Sequence, residues 1–271
     1  MKKPDYHSEE GIARFHAAGR GTGDGKDYLS WMFVPEFSSR GLRFMTFSAK
    51  LGRVIHIFSL LELFVFLFAE SHESFVEIKE NYPLDRSRTQ RIARQQRPEI
   101  THPRVDGVPQ VMTTDLYIKE EVSPGVYRYL AWSTKYEDEL RNPRPVEKLQ
   151  IEQIYYEGAE TEAPAAFTIM TEEKLPMDMI RNLRFVRGTT RPGAMLEYSS
   201  EQIDRVAEFM RPRLTDFPLN QLAHACDKEL GFGRGLSSLR VARYLIATHR
   251  WPVDLMIPID PFRPLTLRPA A

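Results

Sequence analysis

The sequence predicts a mixed α/β domain followed by a small, mostly helical one, and three observations carry that prediction. Between Gly41 and Thr171, short β-branched and aromatic runs alternate with helical patterns. After Thr171 the texture changes to successive amphipathic helices that end in a proline-punctuated tail. The chain has 271 residues, 42% hydrophobic and 27% charged, enough apolar material for one large core or two moderate ones. The expected partition is therefore residues 1–171 and residues 172–271.

Residues 1 to about 30 are polar and Gly-rich. Gly41–Ile57 reads as one or two strands, broken near Lys50–Gly52. Ser59 is placed as a helix N-cap with Glu62 three positions on, the capping-box spacing. The helix that follows, through Ala69, is apolar on every side and should lie buried. SFVEIKE, Ser74–Glu80, alternates as a strand, and a long connection then runs from Pro83 to Met112. Asp115 opens a further strand, TDLYIKE, and Ser123–Gly125 turns into VYRYLAWSTK, which ends at Lys135. Val146–Glu157 has helical apolar spacing, and AAFTIMT returns as a strand. LPMDMIRNLRF, SSEQIDRVAEFM, LNQLAHACDKEL and SSLRVARYLIATHR read as helices, with Ser199 and Gln202 spaced for capping. VDLMIPIDPFRPLTL suggests edge strands or a wing, so the second domain is expected to be winged-helix-like.

Composition excludes several classes. Thirty-seven basic residues balance thirty-seven acidic ones, so any nucleic-acid affinity must come from local patches. Cys226 is the single cysteine, which rules out an internal disulfide and leaves no zinc-spaced Cys/His set. The apolar run Val54–Ala69 is shorter than the ~20 residues a bilayer span needs and carries Glu62, so no membrane association is expected. GRGTGDGK has the look of a phosphate loop, but Arg20 stands where a Walker A glycine is required and Asp27 where Ser or Thr is required. No nucleotide cofactor is expected.

The constellation with chemical content is Glu62, Asp115 and the triplet Ser133-Thr134-Lys135. These fall at the first turn of a helix, the start of one strand and the end of its neighbour. Phosphodiester hydrolysis calls for a hard divalent cation on carboxylate oxygens, with a lysine to orient water or offset charge on the phosphate. Such residues on adjacent strands are also the core of the PD-(D/E)xK nucleases. Taken singly, each has an ordinary reading: Glu62 completing a capping box, Asp115 a strand-edge acid, Lys135 a solvated strand end. Other candidates are the arginines of DRSRTQRIARQQRP (Arg86, Arg88, Arg91, Arg94 and Arg97), a cationic helix face fit for phosphates or merely solvated. Arg240, Arg243 and His249 on a C-terminal helix suit either groove reading or packing. His56, His102 and Trp132 have core roles as their simpler reading.

Longer stretches go further. GRGTGDGKDYLSW (Gly19–Trp31), GRVIHIFSLLE (Gly52–Glu62), ENYPL (Glu80–Leu84), HPRVDGVPQVMTTD (His102–Asp115) and VEKLQIEQIYYE occur in order across residues 19–171. Together they resemble the TnsA family, the endonuclease subunits of heteromeric cut-and-paste bacterial transposases. The resemblance implies a restriction-endonuclease-like domain that cuts the 5′ ends of a transposon in the bacterial cytoplasm. It implies a DDE-type transposase partner, TnsB, an AAA+ regulator, TnsC, and transposon-end DNA as substrate. The family's catalytic residues fall on Glu62, Asp115 and Lys135. Magnesium, with manganese able to substitute, would be held by Glu62, Asp115 and the backbone carbonyl near Thr134. Ser133 departs from the Gln or acid found two before the lysine, and Glu152 matches a further family acid that would support the site. Arg20 and Lys26 become expected phosphate contacts, together with Arg88, Arg91 and Arg94. A docking subunit of weak catalytic power, or a free-standing nuclease of the same fold, are the alternative readings.

Overall fold

The computed structural model describes residues 5–37, 41–95, 97, 100–158, 164–233 and 235–268. The chain divides into two compact units, Met1–Leu175 and Pro176–Ala271.

The first unit opens with helix α1 (Glu9–Ala17), which the Gly-rich texture of the N-terminus had hidden. Ser8 caps it by accepting from the Gly11 amide, and Ile12 and Phe15, three apart, are its buried face. The stretch expected to hold one or two strands holds two, β1 (Phe44–Ser48) and β2 (Arg53–Ile57), paired antiparallel. Helix α2 (Leu60–Ser71) starts at the Ser59 cap, whose hydroxyl accepts from the Glu62 amide at 3.0 Å.

A four-stranded sheet follows in the order β3 (Phe75–Pro83), β6 (Thr113–Ser123), β7 (Val126–Thr134), β8 (Ala166–Met170). The first two pairings are antiparallel and β7–β8 is parallel, so the sheet is mixed. Parallel pairing requires a crossover, here supplied by α4 (Pro143–Glu157). The connection after β3 is no bare loop: it holds helix α3 (Arg86–Gln95) and a two-residue hairpin, β4 (Arg104–Val105) and β5 (Val108–Pro109).

Strand alternation decides which helix covers which face. Ile78, Leu116, Ile118 and Trp132 point to one side, where Phe68 of α2 stacks on Trp132. The other side presents Ala131, packed in a cluster with Ile92 and Ala93 of α3 and Ile151, Tyr155 and Tyr156 of α4. Helices thus flank the sheet on both faces. Asp115 lies near the start of β6 and Lys135 one residue past β7, so these antiparallel neighbours bring both to one end of the sheet.

The Gly-rich segment is fastened to this body. Arg53 Nη1 pairs with Glu80 Oε2 at 2.7 Å, its Nε donates to the Gly25 carbonyl, and Tyr28 and Ser30 hydroxyls donate to the Glu80 carbonyl. The Gly25 amide donates to Glu77. Gly21 adopts φ +78, and a Cβ there would stand 2.1 Å from Pro83 Cγ, so glycine is required both for the turn and for the close approach.

The second unit packs α5 (Met177–Arg187), α6 (Ser200–Met210), α7 (Leu219–Leu230) and α8 (Ser238–Ala247) around a core that includes Val206, Met210, Leu222, Val241, Leu245 and Trp251. Ser199 and Gln202 form the expected reciprocal capping box. The tail differs from the expected wing. Among the described residues it makes one isolated antiparallel bridge, Val253–Leu267, and no strand. Pro258, Pro261 and Pro264 lack the amide donors that a ladder needs. Asn182 substitutes by bonding the Leu255 and Ile257 carbonyls and the Ile259 amide. No helix among the described residues is long and apolar enough to cross a membrane.

Candidate active site

At the end of the central sheet, Asp115 Oδ2 accepts two hydrogen bonds from Thr134, from its amide at 2.6 Å and its hydroxyl at 2.8 Å. These lock the aspartate to the last residue of the neighbouring strand. Lys135 Nζ turns back to donate to the Thr134 carbonyl at 2.7 Å. That carbonyl is the backbone oxygen expected to serve a metal, and a cation already sits against it.

Glu62 comes from the other side, on the first turn of α2. Its Oε2 accepts from the Phe58 amide at 2.9 Å, one residue before the N-cap, so it reaches back past a simple capping box. Burial, with the Asp115 carboxylate close by as the second cause, pushes its pKa up to about 7, against the Phe58 and Ser59 bonds and the Lys135 charge. Asp115 is thus near enough to make ionisation of Glu62 costly. Two mutually repelling carboxylates and a backbone carbonyl are an all-oxygen, hard donor set of the kind magnesium or manganese takes. Among the described residues no cluster of three His, Cys, Asp or Glu side chains is placed to hold an ion, so the donor set depends on that carbonyl and on water.

Ser133 is buried, and its hydroxyl donates to Glu152 Oε2, which also accepts from Thr114 Oγ1 at 3.4 Å. Glu152 is buried on α4, and that burial above all pushes its pKa up to about 8, with Asp115 adding to the shift. The small serine leaves room for the helix acid to come in from the next element. Asp115, Ser133, Lys135 and Glu152 line a cleft of about 670 Å³, together with Arg104, Arg144 and Lys148. Sequence reasoning missed Arg144 and Lys148. Their signal was the four-residue spacing Arg144, Lys148, Glu152, which puts all three on one helix face.

Several expected contacts are placed elsewhere. Arg20 is committed internally: its guanidinium makes two bonds to Glu36, at 2.6 and 2.8 Å, and lies over the rings of Phe15 and Phe33. With 11% of its side chain exposed, it organises the N-terminal segment. Lys26 is exposed, on the single 3-10 turn Gly25–Asp27.

The arginines of α3 do not share one face either, because a three-residue step falls 60° short of a full turn and the drift accumulates. Arg86 pairs with Glu9, Arg88 bonds the Tyr155 carbonyl and lies over its ring, and Arg97 bonds Gln150. Arg91 and Arg94 are exposed. In the second unit Arg240 pairs with Glu197, Arg243 lies over Phe185, and His249 takes a left-handed conformation beyond the end of α8. His56 and His102 are held by Val34 and by Thr89, as polar contacts within the fold. Trp132 is core.

Comparison with known proteins bears on the family of the chain. The profile described as "TnsA endonuclease C terminal" matches residues 175–255. The transposon Tn7 transposition protein TnsA of Escherichia coli is 33% identical over 236 residues, covering 86% of this chain and 82% of that protein. The chain belongs to the TnsA family. The match extends over most of the chain, well beyond the residues that the C-terminal profile covers.

Proposed function

We propose that the chain is the endonuclease subunit of a cut-and-paste transposase, hydrolysing a phosphodiester at the 5′ ends of a transposon with Glu62, Asp115 and Lys135 as its catalytic residues. The observation that carries this reading is the convergence at one sheet end of two carboxylates, a backbone carbonyl and a lysine beside an open cleft. A divalent cation, if bound there, would supply charge to polarise the phosphate and to ease deprotonation of water. Asp115, fixed by its two bonds to Thr134, and Glu62, fixed by the Phe58 amide, would hold that ion with the Thr134 carbonyl. Lys135 orients the attacking water and offsets charge that builds on the phosphate oxygens. Ser133 and Glu152 act from behind as a hydrogen-bonded pair that shapes the floor of the cleft.

The first unit, in this reading, is a restriction-endonuclease-like domain, and the second a winged-helix-derived interaction module whose wing is reduced to a single bridge. Family resemblance supports a DDE transposase and an AAA+ regulator as partners. The test is cleavage of transposon-end DNA by the purified chain with its partner transposase and magnesium or manganese. Nicks at the 5′ ends that vanish in Asp115→Ala and Lys135→Ala, with both variants still folded, are the expected result. Wild-type cutting by both variants overturns the site. Cutting of DNA without transposon ends, in the absence of any partner, would instead point to a free-standing nuclease.

A further inference from the structure

The cleft beside Asp115 has a second wall that the catalytic residues do not account for. Arg144, Lys148 and Glu152 rise along one face of α4 at intervals of about 6 Å, and all three line the cleft. Glu152 is its buried end, and Arg144 and Lys148 are exposed. Arg144 is held in place: Nη1 donates to the Thr101 carbonyl at 2.7 Å and to Glu147 at 2.9 Å. Arg104, on the β4–β5 hairpin, lines the same space with one guanidinium nitrogen on the Gly107 carbonyl.

Lys148 is different. It makes no hydrogen bond or ion pair to a described residue, because Glu152, four residues on, is already taken by Ser133 and Thr114. Partial burial, and then the charges of Arg144 and Lys135, lower its pKa. A lysine stem normally carries its ammonium out to bulk water. This one stands between two other cations, an arrangement that costs energy until an anion arrives.

We propose that the Arg144–Lys148 face of α4 is a binding site for the phosphate backbone of the DNA strand being cut, with Lys148 taking a phosphate oxygen inside the cleft and Arg144 holding the strand at its mouth. The inference rests on the nuclease reading above. It assigns positioning to Lys148 and leaves water activation with Lys135. A phosphodiester satisfies the wall's charge, and Asp115 lines the same cleft.

Fluorescence anisotropy of the intact chain with a labelled DNA duplex, over a range of salt concentrations, tests it. Each phosphate contact contributes about 0.9 to the slope of log affinity against log salt. Lys148→Gln and Arg144→Gln are each expected to lower that slope by about 0.9 and to weaken binding several-fold at low salt, while Lys148→Arg restores both. A merely structural residue would leave the slope unchanged. Wild-type affinity and slope in Lys148→Gln overturn the proposal while leaving the nuclease reading intact. A wild-type chain that neither binds the duplex nor, with manganese and its partner transposase, cuts it overturns both.

Discussion

Glu62→Gln should yield a more stable protein at neutral and alkaline pH, because it removes a charge that the fold is poorly built to hold. The carboxylate sits largely buried at the first turn of α2, with Asp115 beside it, and its pKa is pushed up to about 7 from the ordinary 4.5. That gap corresponds to roughly 3 kcal/mol at pH values above both. The sign follows from proton binding. Between these values the folded state holds the proton that the unfolded chain releases. Native stability from this group is therefore fully present below about pH 4.5 and is lost as pH rises through about 7. Gln carries no titrating proton and keeps an oxygen for the Phe58 amide, so at low pH it mimics protonated Glu62.

The difference between variant and wild type should be near zero at pH 4.5 and grow to about 2–3 kcal/mol by pH 8. Urea denaturation followed by tryptophan fluorescence, without divalent ions, measures it. Glu152 adds a similar trend to both proteins and cancels in the difference. Manganese at about a hundredfold its dissociation constant should then return roughly 2.7 kcal/mol to the wild type and little to the variant. A difference that stays flat across this pH range would refute the reasoning, since the two acids would then not be sharing a confined, poorly solvated space.

Four further substitutions separate structural from functional roles. Arg20→Ala removes two bonds to Glu36 and contacts with two aromatic rings, and should cost about 3 kcal/mol in denaturation while leaving the salt slope of DNA binding unchanged; a lower slope would return Arg20 to the phosphate contacts. Ser133→Ala takes the hydroxyl donor from buried Glu152 and should cost about 1–3 kcal/mol. Glu152 is protonated at pH 7, with its pKa near 8, so Glu152→Gln should change stability there by less than about 1 kcal/mol, and a large loss would mean that the ionised form is native. Gly21→Ala forces a side chain onto the Pro83 ring from a φ of +78, and should lower stability by about 2 kcal/mol or more, which an unchanged melting temperature would contradict.

Local signals proved readable where a single interaction decides the outcome. Ser59 and Ser199 declared their helices because one hydroxyl meets one orphan amide within three residues. The turn at Ser123–Gly125 between β6 and β7 was enough to bring Asp115 and Lys135 to one sheet end. Helix α1 escaped notice because two buried residues, Ile12 and Phe15, make too short a stripe against a glycine-rich background. The proline-punctuated tail suggested edge strands or a wing, but its prolines lack the amide donors that a ladder needs. Arg20 carries the longest-range lesson. Its partners are Glu36, Phe15 and Phe33, and nothing in a glycine-rich motif announces that a distant glutamate will claim its charge. Long-range ownership of a side chain is a property of packing, and composition is silent on it.

The same limit explains why the site keeps its charges unpaired. Asp115 and Lys135 are neighbours, yet the aspartate binds Thr134's amide and hydroxyl while the ammonium binds Thr134's carbonyl. Thr134 satisfies each of them, so neither needs the other as a partner. Had they met directly, each would have neutralised the other and the cleft would be inert. Held apart, they leave a negative pole at Glu62 and Asp115 and a positive pole at Lys135 and Lys148, each repelling within itself. A dication answers the first pole and a phosphodiester the second, and the two ligands also attract each other. Binding either one alone relieves only half of the repulsion. Metal and DNA should therefore bind with positive coupling, each raising the other's affinity by the same factor. Titrating manganese with and without duplex measures that factor, and equal manganese affinity in both conditions would show that the two poles do not act on a common ligand.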